Sequence, residues 1–338
     1  MRSPSLLLLL SAVSCAEASL PPTFPAGDGQ RAIVEEQALI GLHGSGDAAV
    51  AELIAADGQP PKLALLKLDH DRGDGRPLLA ASPEVAQAVA ADLIAKGRQA
   101  APLLAAAVAT RWPEAAVAAA AAGFKPAIPT AAEPGRRRWS VRGAGVPLSI
   151  RTAEVDGPRS SAVLLGERLL GRPGGDEVEL SRMPVLGVAL EPEVYVAGRT
   201  VWVLAGSVEG GDRRSPLRRT VGLRRGSIAR GEAELHNLHG LTDYAAGDLD
   251  AARREFARAL LVDGDYFDAL YNSAAVAALA GRDEEAIDFL YRAAKADPGR
   301  VQVLGRTDED LRVLRRRAEV RGLLGIRRSP PQDLDPRR

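Results

Sequence analysis

Apolar and polar residues follow three different patterns along this chain of 338 residues, and the first third of the chain predicts helices. Alanine-rich segments there are separated by Gly and Pro. Asp47 is positioned to cap a helix that carries Leu53 on its apolar face. Ser82-Pro83 begins another helix, which Gly97 ends. We therefore expect an α-helical domain over residues 31–124.

The pattern changes after a proline-rich stretch at residues 125–138. Short β-branched or alternating apolar runs follow one another, separated by Gly, Pro and Asp turns. The clearest of them is Arg199-Thr200-Val201-Trp202-Val203-Leu204. Because no helical pattern intervenes, the sequence predicts an antiparallel β sandwich or small barrel over residues 139–228.

Small and apolar residues recur at helical spacing in the last third. From Phe267 to Arg300 they predict two helices, with Gly281 ending the first and Pro298 stopping the second. The preceding 34 residues, Ala233 to Tyr266, carry the same marks one period earlier. The repeated positions are Gly240, Tyr244, Gly247, Ala252, Phe256 and Ala259 in the first unit and Ala274, Ala278, Gly281, Ala286 and Leu290 in the second.

This register resembles the tetratricopeptide repeat (TPR), a pair of antiparallel helices. The sequence Asp308-Glu309-Asp310-Leu311-Arg312-Val313-Leu314-Arg315 is similar to the closing segment found after bacterial TPRs, so residues 301–326 are expected to cap the array. The helix pairs of the first third loosely resemble HEAT-type repeats, but they show no fixed period, and an irregular bundle is an equal alternative.

The expected fold class is thus multidomain α+β. Its segments are a signal peptide (1–18), a linker (19–30), the helical domain (31–124), a linker (125–138), the β domain (139–228), two TPRs (229–300), the capping segment (301–326) and a disordered tail (327–338).

The TPR resemblance implies a concave face built by the first helix of each repeat, which binds an extended or helical peptide of a protein partner. Position by position, the implied partner-binding residues are Glu234, Asn237, Leu241 and Tyr244 in the first repeat and Asp268, Tyr271, Asn272, Ala275 and Leu279 in the second.

The N-terminus has one arginine, an apolar run from Leu6 to Val13 and then small residues, which is typical of a secretory signal. Ala16-Glu17-Ala18 fits ordinary signal peptidase. Ala12-Val13-Ser14-Cys15 resembles a bacterial lipobox, in which Cys15 becomes lipidated and anchors the chain to the outer membrane. A cytoplasmic protein with a misread N-terminus is a third interpretation. Cys15 is the only cysteine, so no internal disulfide forms.

Charge is balanced overall, with 44 basic and 44 acidic residues, but it is distributed unevenly. Residues 136–230 contain 17 arginines and no lysine against 10 acidic residues, whereas residues 231–300 contain 14 acidic against 7 basic residues. The β domain could dock on the repeats, or the acidic repeats could recruit a basic partner segment. Docking is the favoured interpretation, because two adjacent domains need no third molecule. The clusters Arg136 to Arg138 and Arg218-Arg219 could contact phosphates, but apart from Trp139 no aromatic residue is interleaved with them, so we expect no nucleic-acid binding.

Two groups of residues carry metal-binding side chains. His236 and His239 lie one helical turn apart, with Asp243 four residues further, but such positions usually pack against a neighbouring helix. The run from Asp69 to Gly75 is rich in oxygen ligands, yet it departs from the EF-hand spacing and indicates a solvated turn. We therefore expect no metal and no cofactor.

The sequence lacks a nucleophile elbow, a phosphate-binding loop and a dinucleotide fingerprint. No catalytic residue is expected, and the leading hypothesis is a non-enzymatic exported scaffold. The TPR pattern together with the lipobox-like N-terminus resembles bacterial TPR-containing lipoproteins, and that resemblance implies a role in cell-envelope assembly. The alternative is an exported enzyme whose β domain brings carboxylates such as Asp156, Glu167 or Glu193 into one pocket.

Overall fold

The computed structural model describes residues 24–26, 30–56, 59–69, 75–97, 99, 102–132, 138–142, 147–155, 160–167, 177–184, 188–210 and 215–326. The chain divides after Ile228 into two compact units, which we name the N-terminal unit and the C-terminal unit. The signal segment with Cys15, residues 70–74, Arg136, Arg137, Asp156 and the tail 327–338 lie outside the described residues.

The N-terminal unit begins with strands rather than helices. Its first elements are β1 (Phe24–Ala26), β2 (Gln30–Leu42), β3 (Ala48–Ala55), β4 (Lys62–Leu68), β5 (Gly75–Ala80), α1 (Pro83–Lys96), α2 (Leu104–Arg111), α3 (Glu114–Ala121) and β6 (Lys125–Pro126). Strands β2 to β5 pair antiparallel in sequence order. The predicted α-helical domain over residues 31–124, whether HEAT-like or an irregular bundle, is therefore wrong. Residues 30–80 form strands, and the three helices that follow share a core with that sheet.

Burial on both faces of the sheet explains this error. Val50 on β3 belongs to a core with Trp202. Ala51 and Leu53, on the opposite face of the same strand, belong to a core with the three helices. A strand covered on both sides is apolar at nearly every position, so its pattern resembles that of a buried helix. Asp47 precedes this strand and forms an ion pair with Lys67, with Nζ and Oδ2 3.1 Å apart.

Helices α1 to α3 cover one face of the sheet, where Val89, Leu93 and Leu104 are fully buried. The predicted start and end of α1 are confirmed. The Ser82 hydroxyl accepts a hydrogen bond from the Val85 amide, and the Gly97 amide donates to carbonyls of the last helical turn. These local capping signals do not depend on what the helix packs against.

The remaining strands of the N-terminal unit are β7 (Arg138–Arg142), β8 (Pro147–Val155), β9 (Ser160–Glu167), β10 (Glu177–Pro184), β11 (Val188–Ala189), β12 (Glu193–Ala197), β13 (Thr200–Glu209) and β14 (Leu217–Ser227). Within the described residues, β7 to β10 form a four-stranded antiparallel sheet. The others extend the first sheet, because β14 pairs in parallel with β2. The predicted separate β sandwich is thus wrong, since its last strands complete a sheet that the first strands begin.

The C-terminal unit is helical throughout its described part. Its elements are α4 (Ile228–Ala245), α5 (Leu249–Val262), α6 (Phe267–Leu279), α7 (Asp283–Ala296), α8 (Pro298–Gly305), 3₁₀ turns at Glu309–Leu311 and Leu314–Arg316, and α9 (Ala318–Leu323). Gly247 and Gly281 adopt positive φ angles of 84° and 71° in the two hairpin turns. Among the described residues of the whole chain, no helix is both long enough and apolar enough to span a membrane.

The helices pack through small residues. A Cβ atom on Gly240 of α4 would lie 2.5 Å from the ring of Phe256 on α5. The backbone of α4 at Gly240 is therefore in close contact with the Phe256 ring. Phe256 in turn packs with Ala252 and with Val276 of α6. Phe256 on α5 therefore packs against both α4 and α6.

Candidate functional site

Helices α4 and α6 are joined by an amide pair. The Asn272 Nδ2 atom donates to Asn237 Oδ1 over 2.9 Å, across 35 residues of sequence. Because each hairpin reverses the chain direction, α4 and α6 run the same way, and an offset of 35 residues sets Tyr244 level with Leu279. One face of each helix therefore contributes to a shared surface, which we name the α4/α6 face.

The nine predicted partner-binding residues differ in accessibility along this face. Asn237, Tyr271 and Ala275 are buried, while Glu234, Tyr244, Asp268 and Asn272 are half-buried. Leu241 and Leu279 are large apolar residues that stay 39% and 45% exposed. Leu241 follows Asn237 by four residues, and Leu279 follows Asn272 by seven. Residues at these spacings share one side of a helix, so each leucine lies on the same side as the asparagine of its own helix.

Two of the predicted residues bind the chain's own C-terminal segment. The Tyr244 hydroxyl donates to Asp310 Oδ2 over 2.6 Å, and the Tyr271 hydroxyl donates to Asp308 Oδ2 over 2.7 Å. Burial, together with these carboxylates, raises the pKa of both tyrosines. Both hydroxyls are thus uncharged donors that are already in use.

Residues 301–326, which we name the closing segment, are firmly held. Leu311, Leu314, Val320 and Leu324 have no exposed surface, and they share a core with Leu270 of α6. The Arg317 guanidinium also bridges the carboxylates of Asp283 and Glu284 on α7, at 3.0 and 2.9 Å. Because four side chains are fully buried, we regard the closing segment as part of the folded unit.

Asp268, another predicted residue, is partly neutralised by Arg300 of α8. Arg300 Nη2 donates to its Oδ1 over 2.5 Å, and the same guanidinium lies 4.0 Å from the centre of the Phe267 ring. A planar guanidinium commonly combines an ion pair with stacking on an aromatic face. Asp268 retains about a third of its side-chain exposure, at 34%.

A cluster of possible metal ligands lies on α4 and α5. His236, His239 and Glu255 bring their ligand atoms within 4.8 Å of one another. His236 Nδ1 is 2.9 Å from Glu255 Oε2. Asp243, the third residue that sequence spacing suggested, is not part of this group. The sequence analysis missed Glu255, because this residue is distant in sequence from the two histidines. Glu255 directly precedes Phe256, and the contact between Phe256 and Gly240 brings it close to α4.

Arg218 and Arg219, the second of the two arginine clusters in the sequence, are already engaged in ion pairs. Arg219 is fully buried, and its Nε donates to Glu36 Oε2 over 2.7 Å. Arg218 Nε lies 3.4 Å from Glu209 Oε1. The Glu36–Arg219 pair was not predicted, because β2 and β14 lie 183 residues apart and meet only in the folded sheet.

Of the three carboxylates proposed for an enzyme, only the side chain of Glu193 lies within the described part of the chain. Glu193 accepts a hydrogen bond from the Tyr195 hydroxyl over 2.5 Å. Burial, followed by this carboxylate, raises the pKa of Tyr195. Asp156 and the side chain of Glu167 lie outside the described part.

No protein-family model matches the chain, and no curated protein matches it significantly.

Proposed function

We propose that the C-terminal unit is a TPR-like module that binds a protein partner through the α4/α6 face, and that the protein is a non-enzymatic scaffold. The observation that carries this proposal is the exposure of Leu241 and Leu279 beside the Asn237–Asn272 amide pair. Exposed apolar residues that share one surface and are rimmed by polar residues mark a protein-binding site more than singly scattered ones do.

The chemistry of the face favours a partner segment that combines apolar and basic side chains. Leu241 and Leu279 supply the apolar contact area, and the half-buried Glu234 and Asp268 lie on the same two helices. Residues 231–300 contain 14 acidic and 7 basic residues, so the surrounding field also attracts cations. A basic segment would approach quickly and orient on this surface.

The closing segment limits the area that the partner contacts. Asp310 and Asp308 already accept the hydrogen bonds of Tyr244 and Tyr271. Asn237 and Ala275 are buried, so they support the surface without contacting a partner. In our proposal the contact residues are Glu234, Leu241, Asp268 and Leu279, and the other predicted residues hold them in place.

The proposal includes export. The signal-like N-terminus and Cys15 favour a scaffold at the cell envelope, anchored by a lipid on that cysteine, and the resemblance to TPR-containing lipoproteins suggests a role in assembling envelope machinery. Replacing Cys15 by Ser is expected to release the protein from the membrane fraction.

Replacement of both exposed leucines tests the binding proposal. We expect Leu241→Ser with Leu279→Ser to reduce the affinity of the full-length protein for its captured partner roughly tenfold or more, because hot-spot residues each contribute at least about 1 kcal/mol. Leu261→Ser is the matched control, since Leu261 lies on α5 and is 88% exposed. Equal affinity of both variants, with unchanged circular dichroism, would contradict the proposal.

A further inference from the structure

Three side chains on α4 and α5 form a group that the binding proposal does not use. His236 and His239 lie one turn apart on α4, so both rings project from the same side of the helix, and their centres are 6.3 Å apart. Glu255 reaches the same point from α5, and the ligand atoms of all three residues lie within 4.8 Å of one another. Side chains from two helices thus converge on one small volume.

The distances suit a first-row transition metal. Zn²⁺ binds histidine nitrogen and carboxylate oxygen at about 2.0–2.2 Å, which in tetrahedral geometry separates two ligand atoms by roughly 3.4 Å. The closest pair here, His236 Nδ1 and Glu255 Oε2, is 2.9 Å apart, and no pair exceeds 4.8 Å.

We propose that His236, His239 and Glu255 bind one Zn²⁺ ion, or a similar divalent transition metal, between α4 and α5. Two neutral imidazoles and one carboxylate are a ligand set that zinc accepts, and three protein ligands leave at least one coordination position for water. The ion ties the two helices of the first hairpin together. This proposal does not depend on partner binding by the α4/α6 face.

The surroundings hold the carboxylate in position. The Arg258 guanidinium donates to Glu255 Oε1, which leaves Oε2 directed at His236. Hydrogen bonds to the outer oxygen of a ligating carboxylate orient it and tune its metal affinity. His236 and Glu255 have side-chain exposures of only 6% and 15%, so an ion between them is partly shielded from water.

Backbone packing next to the cluster keeps the helices close. Gly240 follows His239, and a Cβ atom there would lie 2.5 Å from the Phe256 ring, the residue after Glu255. A ligand set on tightly packed helices loses little conformational entropy when it binds an ion. The His236–Glu255 hydrogen bond is replaced by two metal–ligand bonds when zinc enters.

Zinc titration of the full-length protein, stripped of metal by a chelator, tests the site. We expect one Zn²⁺ per chain by calorimetry and a rise in the temperature of unfolding with zinc concentration, since the ion binds only the folded hairpin. His239→Ala is expected to weaken zinc binding on the order of a hundredfold, because even residues that only support a ligand cost about 10–100-fold. Glu255→Gln is also expected to weaken zinc binding.

The other two histidines provide the controls. His43→Ala, in the N-terminal unit, and His70→Ala are expected to bind zinc like the unaltered protein. His239 is only half-buried, and circular dichroism of every variant checks that the hairpin stays folded. The proposal is overturned if the unaltered protein takes up no zinc, if His239→Ala binds zinc as well as the unaltered protein, or if His70→Ala is the variant that loses binding.

Discussion

At the scale of single residues, the carboxylate of Glu36 serves three donors inside the N-terminal unit. Its Oε1 accepts from the amides of Leu103 and Leu104 at the start of α2, and its Oε2 accepts from Arg219 Nε at 2.7 Å. Both charged side chains have no exposed surface. The pair therefore joins β2, β14 and the start of α2, and a buried ion pair is tolerated only when its hydrogen bonds are complete.

We predict that Glu36→Gln lowers the free energy of unfolding of the N-terminal unit by about 3–5 kcal/mol, because it leaves the Arg219 charge buried without its partner. Urea denaturation followed by tryptophan fluorescence measures this. Asp92→Asn is the matched control, since Asp92 pairs with Arg111 at the surface, where solvent weakens the interaction. If both variants lowered the free energy of unfolding by equally small amounts, the buried pair would not be the interaction that fixes the start of α2.

A second residue-scale prediction concerns Gly240. Alanine usually stabilises a helix relative to glycine by about 1 kcal/mol, but here its Cβ would lie 2.5 Å from the ring of Phe256, which is 1% exposed. We expect Gly240→Ala to destabilise the C-terminal unit by about 1–3 kcal/mol, as overpacking does.

Helical circular dichroism during thermal unfolding checks the Gly240 prediction. Gly322→Ala is the control, because no atom lies within 4 Å of the added Cβ on α9. If Gly240→Ala proved as stable as the control, the close approach of α4 and α5 would be wrong.

At the scale of elements, the closing segment carries a charge that folding disfavours. Burial raises the pKa of Asp310, the Tyr244 hydrogen bond opposes this, and the neighbouring Asp308 and Glu309 add to the rise. A carboxyl whose pKa is higher in the folded state stabilises the fold when protonated, and this contribution is lost as pH rises through the folded pKa.

We therefore predict that Asp310→Asn stabilises the C-terminal unit near neutral pH, by no more than about 1 kcal/mol because Asp310 is partly solvated. Asparagine keeps an acceptor for the Tyr244 hydroxyl. The gain is expected to shrink toward about pH 4, where Asp310 itself becomes protonated. Thermal unfolding of both proteins across this range measures the difference; a loss of stability at neutral pH would mean that the ionised carboxylate is favourable.

Sequence reasoning succeeded at this scale where the signals are local. The start of α1 at Ser82-Pro83 and its end at Gly97 depend on caps next to the helix. It failed for β3, because alanine-rich strands buried on both faces carry no alternation that separates them from helices. The sequence also could not predict which residues of the candidate site are accessible to a partner. The contacts of Tyr271 with Asp308 and of Glu255 with His236 depend on tertiary packing, not on spacing.

At the scale of the whole molecule, the two compact units allow separate measurement of stability. All three tryptophans, Trp112, Trp139 and Trp202, lie in the N-terminal unit. We predict that Glu36→Gln shifts the tryptophan transition and that Gly240→Ala leaves it unchanged while lowering the stability of helices in the C-terminal unit, since each unit has its own core. Parallel shifts of both signals in both variants would mean that the chain unfolds as one cooperative body.

Site-specific photo-cross-linking in living cells tests the central claim, that the α4/α6 face binds a protein. A photoreactive residue at position 241 or 279 is expected to give the same discrete cross-linked partner, whereas the same residue at position 261, exposed on α5, is expected to give none. Cross-links from 261 that equal those from 241 and 279, or no product from either leucine position, would contradict the account.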